Sequence, residues 1–289
     1  MADKPSFLDA FEAAGNTLLQ AFRDAFGYVR SNGRFLGLQC MVPFVVVCAA
    51  GYWLATQGVQ ADALPDGETP KPSARSVFGS FLASAVVGLV YLPFLVACHS
   101  LVLFGRDSIG RGIHLKFGRT EGHLLWASLR LMALGFIVLA AAGFVGGLIA
   151  ILLTSTKVVA GMIIAALTVF ATIAYLALTI LIVPVVVSGD PKPVRAAFRL
   201  ALDNKMLMVM FMIVAFVLRL IANGLFGFVG RLLPLSVGGV SIGAVILTSA
   251  VTVLGTAFGA LMLSLIFLKV HGTPRATSSA PDPALAPLV

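Results

Sequence analysis

The sequence predicts an all-α membrane protein: a polytopic bundle of six transmembrane helices arranged as three hairpins, each preceded by an amphipathic cytoplasmic helix. Three observations carry this prediction. Of the 289 residues, 59% are hydrophobic and 11% are charged, against roughly 25% charged in a soluble domain. The 12 acidic and 20 basic residues are almost absent from six apolar runs, because a charge at the bilayer centre costs about 2.5 to 3.5 kcal/mol even on insertion scales. Between those runs the basic residues alternate in density, with 14 Lys and Arg on one set of connecting segments and 4 on the other. The positive-inside rule then places both termini in the cytoplasm.

Residues 1–34 are expected to form a surface helix. Ser6 begins it, with Asp9 three residues on as its capping-box partner. At 100° per residue, Phe7, Leu8, Phe11, Leu18, Leu19, Phe22, Phe26 and Val29 share one side, opposite Asp9, Glu12, Asn16, Gln20, Arg23 and Arg30. Such a helix anchors on lipid, binds a partner helix or caps the bundle, and amphipathicity alone does not choose among them. Both charge signs and the lack of a continuous apolar core argue against a signal peptide in these residues.

The membrane domain is expected over 35–270. The first span, 35–55, ends at the interfacial pair Tyr52-Trp53 and contains Pro43; a loop rich in Pro, Gly and Asp follows over 56–77. The second span, 78–104, carries small residues at Ser80, Ser84 and Gly88 and has Pro93 past its middle. After a basic linker over 105–122 come spans three and four, 124–153 and 158–187, joined by four residues and therefore antiparallel. The fourth span breaks at Ser188-Gly189-Asp190 and restarts as a short basic helix over 193–204, with proline in its first turn. Spans five and six cover 206–228 and 240–270. Glycine pairs Gly143/Gly147 and Gly255/Gly259 read as GxxxG helix contacts. The tail, 271–289, is Pro-, Ala-, Ser- and Thr-rich and is expected to be disordered.

The candidate chemistry is sparse. No Asp or Glu lies within a span, which disfavours proton coupling and metal-assisted catalysis at bilayer depth. Cys40, Cys48 and Cys98 sit in apolar runs without CxxC or His spacing, so no metal and no cofactor is expected. Arg130, six residues into the third span, fits a cytoplasmic headgroup ring with Arg119 and Lys205, and Arg199 lies on the short basic helix nearby. Its alternative is ordinary positive-inside flanking. Arg219 either contacts a phosphate or headgroup with Asn223 one turn on, or snorkels to the outer interface while Asn223-Gly224 ends the helix. His99 reads as a boundary histidine. Pro43, Pro93 and Pro184 are candidate hinges, with packing kinks as the alternative.

The joint carries a family resemblance. A span ending at Pro184, a turn at Gly189-Asp190, then Ala196-Ala197-Phe198 and Asn204-Lys205 resemble the bacterial YciC and DUF975 group of six-span membrane proteins, and also the membrane domain attached to some glycerophosphodiester phosphodiesterases. The resemblance covers about residues 20–270 and implies the six-span architecture. It implies no hydrolase activity, since the phosphodiesterase domain is not among these residues. The expected function is therefore non-enzymatic: a basic cytoplasmic face that engages membrane lipids, anionic ones in particular, or a membrane-protein partner complex. A small transporter or lipid-handling permease is the alternative. Nucleic acid is not an expected partner, because the basic residues border apolar spans instead of forming a separate basic domain.

Overall fold

The computed structural model describes residues 6–62, 74–109, 112–114, 116–153, 157–233, 235–237 and 239–272. In chain order these form α1 (Phe7–Asp62), α2 (Ala74–Phe104), a 3-10 turn (Arg106–Ser108), α3 (Arg119–Leu153), α4 (Lys157–Thr179), α5 (Ile182–Val187), α6 (Pro193–Asp203), α7 (Lys205–Leu232), a two-stranded ribbon β1 (Ser236–Val237) and β2 (Val240–Ser241), and α8 (Ile242–His271). The architecture is all-α, with six helices long and apolar enough to cross a membrane. Half of the expected 56–77 loop, residues 63–73, and nearly all of the 271–289 tail lie outside the described residues, while the two ends of that loop are helical, in α1 and α2.

The N-terminal segment is helical and meets the helix of the first span at a kink. Ser6 and Asp9 do form the capping box: the Ser6 hydroxyl donates to the Asp9 carboxylate at 2.7 Å and accepts from the Asp9 N–H at 3.2 Å. From there α1 runs 56 residues, and its one non-helical residue is Asn32, with φ −117° and ψ 16°. The Asn32 amide donates to the Tyr28 carbonyl at 3.3 Å and to the Ser31 hydroxyl at 3.0 Å. That competition with the backbone ladder, just before Gly33, kinks the helix where the sequence suggested a boundary.

The half of α1 before the kink crosses α7 and α8. Gly15 faces Met210, Phe22 meets Phe258 edge-on at 5.2 Å, and Asp24 pairs with Lys269 at 3.6 Å. Its buried seam is Ala14, Leu18, Ala21 and Ala25, at helical spacing, whereas Phe7, Phe11 and Phe26 point outward. Small residues thus make the protein contact, and most of the expected phenylalanine face is left exposed.

The segment between α2 and α3, expected as a second surface helix, shows only the 3-10 turn among its described residues. Gln39, 2% exposed on α1, fixes it instead. Its amide donates to the Gly112 carbonyl at 2.8 Å and its oxygen accepts from the His114 N–H at 2.9 Å. Glu121 completes the latch, accepting from the Gly118 N–H at 2.8 Å and meeting His114 Nε2 at 3.0 Å. Satisfying irregular backbone through one buried amide removes the need for a helix. Gln39→Leu should leave two backbone groups without partners, at about 1 to 3 kcal/mol each. Amide exchange at His114 should then accelerate at least tenfold, with protection within α1 retained.

The glycine pattern also differs from expectation. A Cβ added at Gly88, Gly143, Gly147, Gly255 or Gly259 would meet nothing within 4 Å, so the GxxxG pairs are not helix contacts here. Close approach occurs at Gly146 against the Ile164 backbone, 3.2 Å, and between Gly230 and the Gly243-Ala244 backbone. There the β1–β2 turn reverses the chain, and Ser241 caps α8 by accepting from Ala244 N–H while donating to the Gly230 carbonyl at 3.1 Å.

Of the three candidate hinge prolines, all buried, only Pro184 lies beside a break. It has no N–H and its ring crowds the carbonyl four residues back, so α4 stops at Thr179 and α5 starts at Ile182. Pro43 and Pro93 lie inside α1 and α2, and the kink of α1 belongs to Asn32 instead.

Candidate functional site at the basic joint

Ser188-Gly189-Asp190 forms a hydrogen-bonded turn with a defined exit direction. The Gly189 N–H donates to the Val186 carbonyl at 3.1 Å and the Asp190 N–H to the Val185 carbonyl at 3.4 Å, the two bonds of a Schellman motif. Gly189 takes φ +83°, which glycine adopts without the clash a Cβ would bring. The Asp190 carboxylate then accepts the Lys192 N–H at 2.7 Å, and Pro193 starts α6 with a preset φ. α6 buries Ala197 and Ala201, with Arg195, Arg199 and Leu202 exposed.

This turn aims Lys192 and Arg195 at α3. His123, Trp126 and Arg130 follow one another there at spacings of three and four, so they occupy one helix face. The Arg130 guanidinium lies over the Trp126 ring at 4.8 Å from its centroid, an attraction of about 0.5 to 1 kcal/mol at an exposed site. Together these residues line a cavity of about 440 Å³, with Pro191, Pro193 and Val194 on the joint side. Three permanent cations and one imidazole converge on it, and no carboxylate lines it. The chemistry of such a lining suits a polyvalent oxyanion: arginine forks supply paired donors, lysine a compact charge, and Trp126 an amphipathic ring.

The expected ring of Arg130 with Arg119 and Lys205 is not the one that forms. Arg119 opens α3 about three turns before Arg130, and Lys205 opens α7; both are exposed and neither lines the cavity. Arg199, a turn beyond Arg195, is also outside it. Lys192 and Arg195 take their places because the Schellman turn fixes their direction.

Arg219 lies elsewhere, exposed on α7 and lining a separate cavity between α1, α7 and α8. Asn223 does not line that cavity; its side-chain oxygen is buried without a hydrogen-bond partner. Nor does Asn223-Gly224 end the helix, which continues to Leu232.

His99 is not at a boundary. It is 1% exposed, with Nδ1 2.6 Å from the Ser264 hydroxyl, which itself donates to the Ala260 carbonyl at 3.0 Å. The serine proton is thereby committed, so the network assigns the proton on this bond to His99 Nδ1. Sealed from solvent and with no carboxylate behind it, the pair ties α2 to α8 and has no access to substrate. The signal that would have found it was two polar residues, each deep in an apolar run and each needing a partner. Among the described residues no group of three or more His, Cys, Asp or Glu could hold a metal ion.

No protein-family model, no curated protein and no solved structure matches this chain.

Proposed function

We propose that this is a non-enzymatic, multi-pass protein of the bacterial inner membrane that binds the headgroup of an anionic lipid in the cavity at the joint. In this reading both termini face the cytoplasm, and three helical hairpins present their basic connecting segments to the inner leaflet. The observation that carries it is the convergence of Arg130, Lys192 and Arg195 beside Trp126 with no lining carboxylate. A phosphate offers the acceptors this set lacks, and an anionic leaflet already concentrates it at the membrane border.

The test is lipid retention. Protein stripped of lipid and offered equal phosphatidylglycerol and phosphatidylcholine in nanodiscs should keep phosphatidylglycerol through mild activation in native mass spectrometry. Equal retention of the two lipids would remove the proposal, as would labelling of Lys192 only from outside the cell.

A further inference from the structure

The second cavity, about 660 Å³, lies among α1, α7 and α8. Gly15, Leu18, Leu19 and Phe22 of α1 close one end, where Gly15 meets Met210 and Phe22 meets Phe258. From Met210 the cavity follows α7 to Arg219, about 13.5 Å at ~1.5 Å per residue. Its floor on α8 includes Gly255 and Gly259, whose missing side chains leave it open. The pair that failed as a helix contact therefore makes room.

Arg219 gives this apolar space its polarity. It lies about 20 Å from either end of α7, is always charged, and has no carboxylate partner among the described residues. Counted back from the Gly227–Thr248 contact, Arg219 stands opposite Thr256 and Asn223 opposite Thr252. The Thr256 hydroxyl is committed to the Thr252 carbonyl at 2.7 Å, whereas the Thr252 hydroxyl lines the cavity and makes no hydrogen bond within the described chain. Nearby on α2, the Tyr91 hydroxyl lies beside Thr256 and within the field of Arg219. It is buried and makes no hydrogen bond among the described residues.

We propose that this cavity binds one medium-chain fatty acid, its carboxylate on Arg219 and its alkyl chain lying between α7 and α8 up to the roof formed by α1. A lone guanidinium at this depth requires a counter-charge, since an unpaired one is costly there. A carboxylate is the smallest lipid head that supplies it. Diacyl phospholipid is the poorer fit: its head stays at the bilayer border, and the volume suits a single chain. From Arg219 to the roof there is room for roughly ten to twelve carbons, at about 1.3 Å per carbon in an extended chain of ~1.5 Å bonds.

The experiment measures radiolabelled laurate binding to the full chain in phosphatidylcholine nanodiscs, with empty nanodiscs as background. Saturable binding of one laurate per chain is expected, and Arg219→Gln should weaken it at least tenfold. Gly259→Leu, which fills space that a Cβ enters freely, should abolish binding with the melting temperature unchanged. Dodecanol and dodecylammonium should not compete. Equal binding by Arg219→Gln, competition by dodecylammonium, or a diacyl phospholipid that occupies the site and excludes laurate would each overturn the proposal. Neutralising Arg130, Lys192 and Arg195 should leave laurate binding intact, which separates this site from the one at the joint.

Discussion

Replacing Arg130, Lys192 and Arg195 together by glutamine is expected to weaken binding to phosphatidylglycerol-containing bilayers by roughly a hundredfold. A hydrogen bond to a charged group contributes about 1.5 to 3 kcal/mol, so losing the phosphate contacts of these three residues, partly replaced by water, costs about 3 kcal/mol, or two decades in Kd. All three are exposed, so the effect should shrink as salt rises and the Debye length falls to about 8 Å near physiological ionic strength. A control separates a built site from a diffuse basic collar. Arg23, Arg34 and Lys116 are also exposed and line neither cavity. Changing those three to glutamine removes the same net charge and should weaken binding by less than tenfold. Equal losses in the two triple variants would show that only net charge matters, and the cavity at the joint would lose its role.

The six apolar runs were legible because bilayer thickness and the cost of buried charge act on every residue of a span. The joint was legible for a local reason. A proline, then Ser188-Gly189-Asp190, then Pro193, is close to a complete instruction for stopping one helix and starting another. What the joint points at was not legible. Arg119, Lys205, Lys192 and Arg195 all border spans, and only the direction of the Schellman turn decides which of them reach Arg130. Long-range partners were hidden by separation: His99 and Ser264 are 165 residues apart, and Gln39 and His114 are 75 apart. Each is a polar residue that its own helix cannot satisfy. Pairing such residues across spans is the additional step that sequence reading lacked.

The kink of α1 shows a different limit. Residues 28–34 are polar enough to suggest a boundary, and two helices do meet there, at Asn32. What the first of them packs with was less legible. The Ala14, Leu18, Ala21 and Ala25 seam is buried in the half of α1 that crosses α7 and α8. Sequence periodicity favours the phenylalanines, because large apolar side chains dominate the amphipathic pattern, whereas close helix approach selects alanine and glycine.

Gly230→Leu is expected to prevent accumulation of folded protein, and Gly230→Ala to lower stability by about 3 kcal/mol, at the upper end of ordinary overpacking costs. A Cβ on Gly230 would lie 2.6 Å from the Ala244 nitrogen and closer still to the Ala244 Cα; from the other side, a Cβ on Gly243 would lie 2.6 Å from the Gly230 oxygen. These are backbone atoms, so no side-chain rotation relieves the clash, and α7 and α8 must separate. Separation also breaks the bond from the Ser241 hydroxyl to the Gly230 carbonyl, which helps anchor the cap of α8. Within a membrane, helix association depends on this kind of packing because lipid supplies no hydrophobic drive between spans. Gly255→Ala is the matched comparison. It is the same chemical change on α8, in a sequence motif that reads as a stronger contact, yet its Cβ meets nothing within 4 Å. That variant should be neutral or gain up to about 1 kcal/mol from helix propensity. Unfolding midpoints in mixed micelles would check both. Equal midpoints for Gly230→Ala and Gly255→Ala would mean that the crossing at Gly230 is not where α7 and α8 are held together.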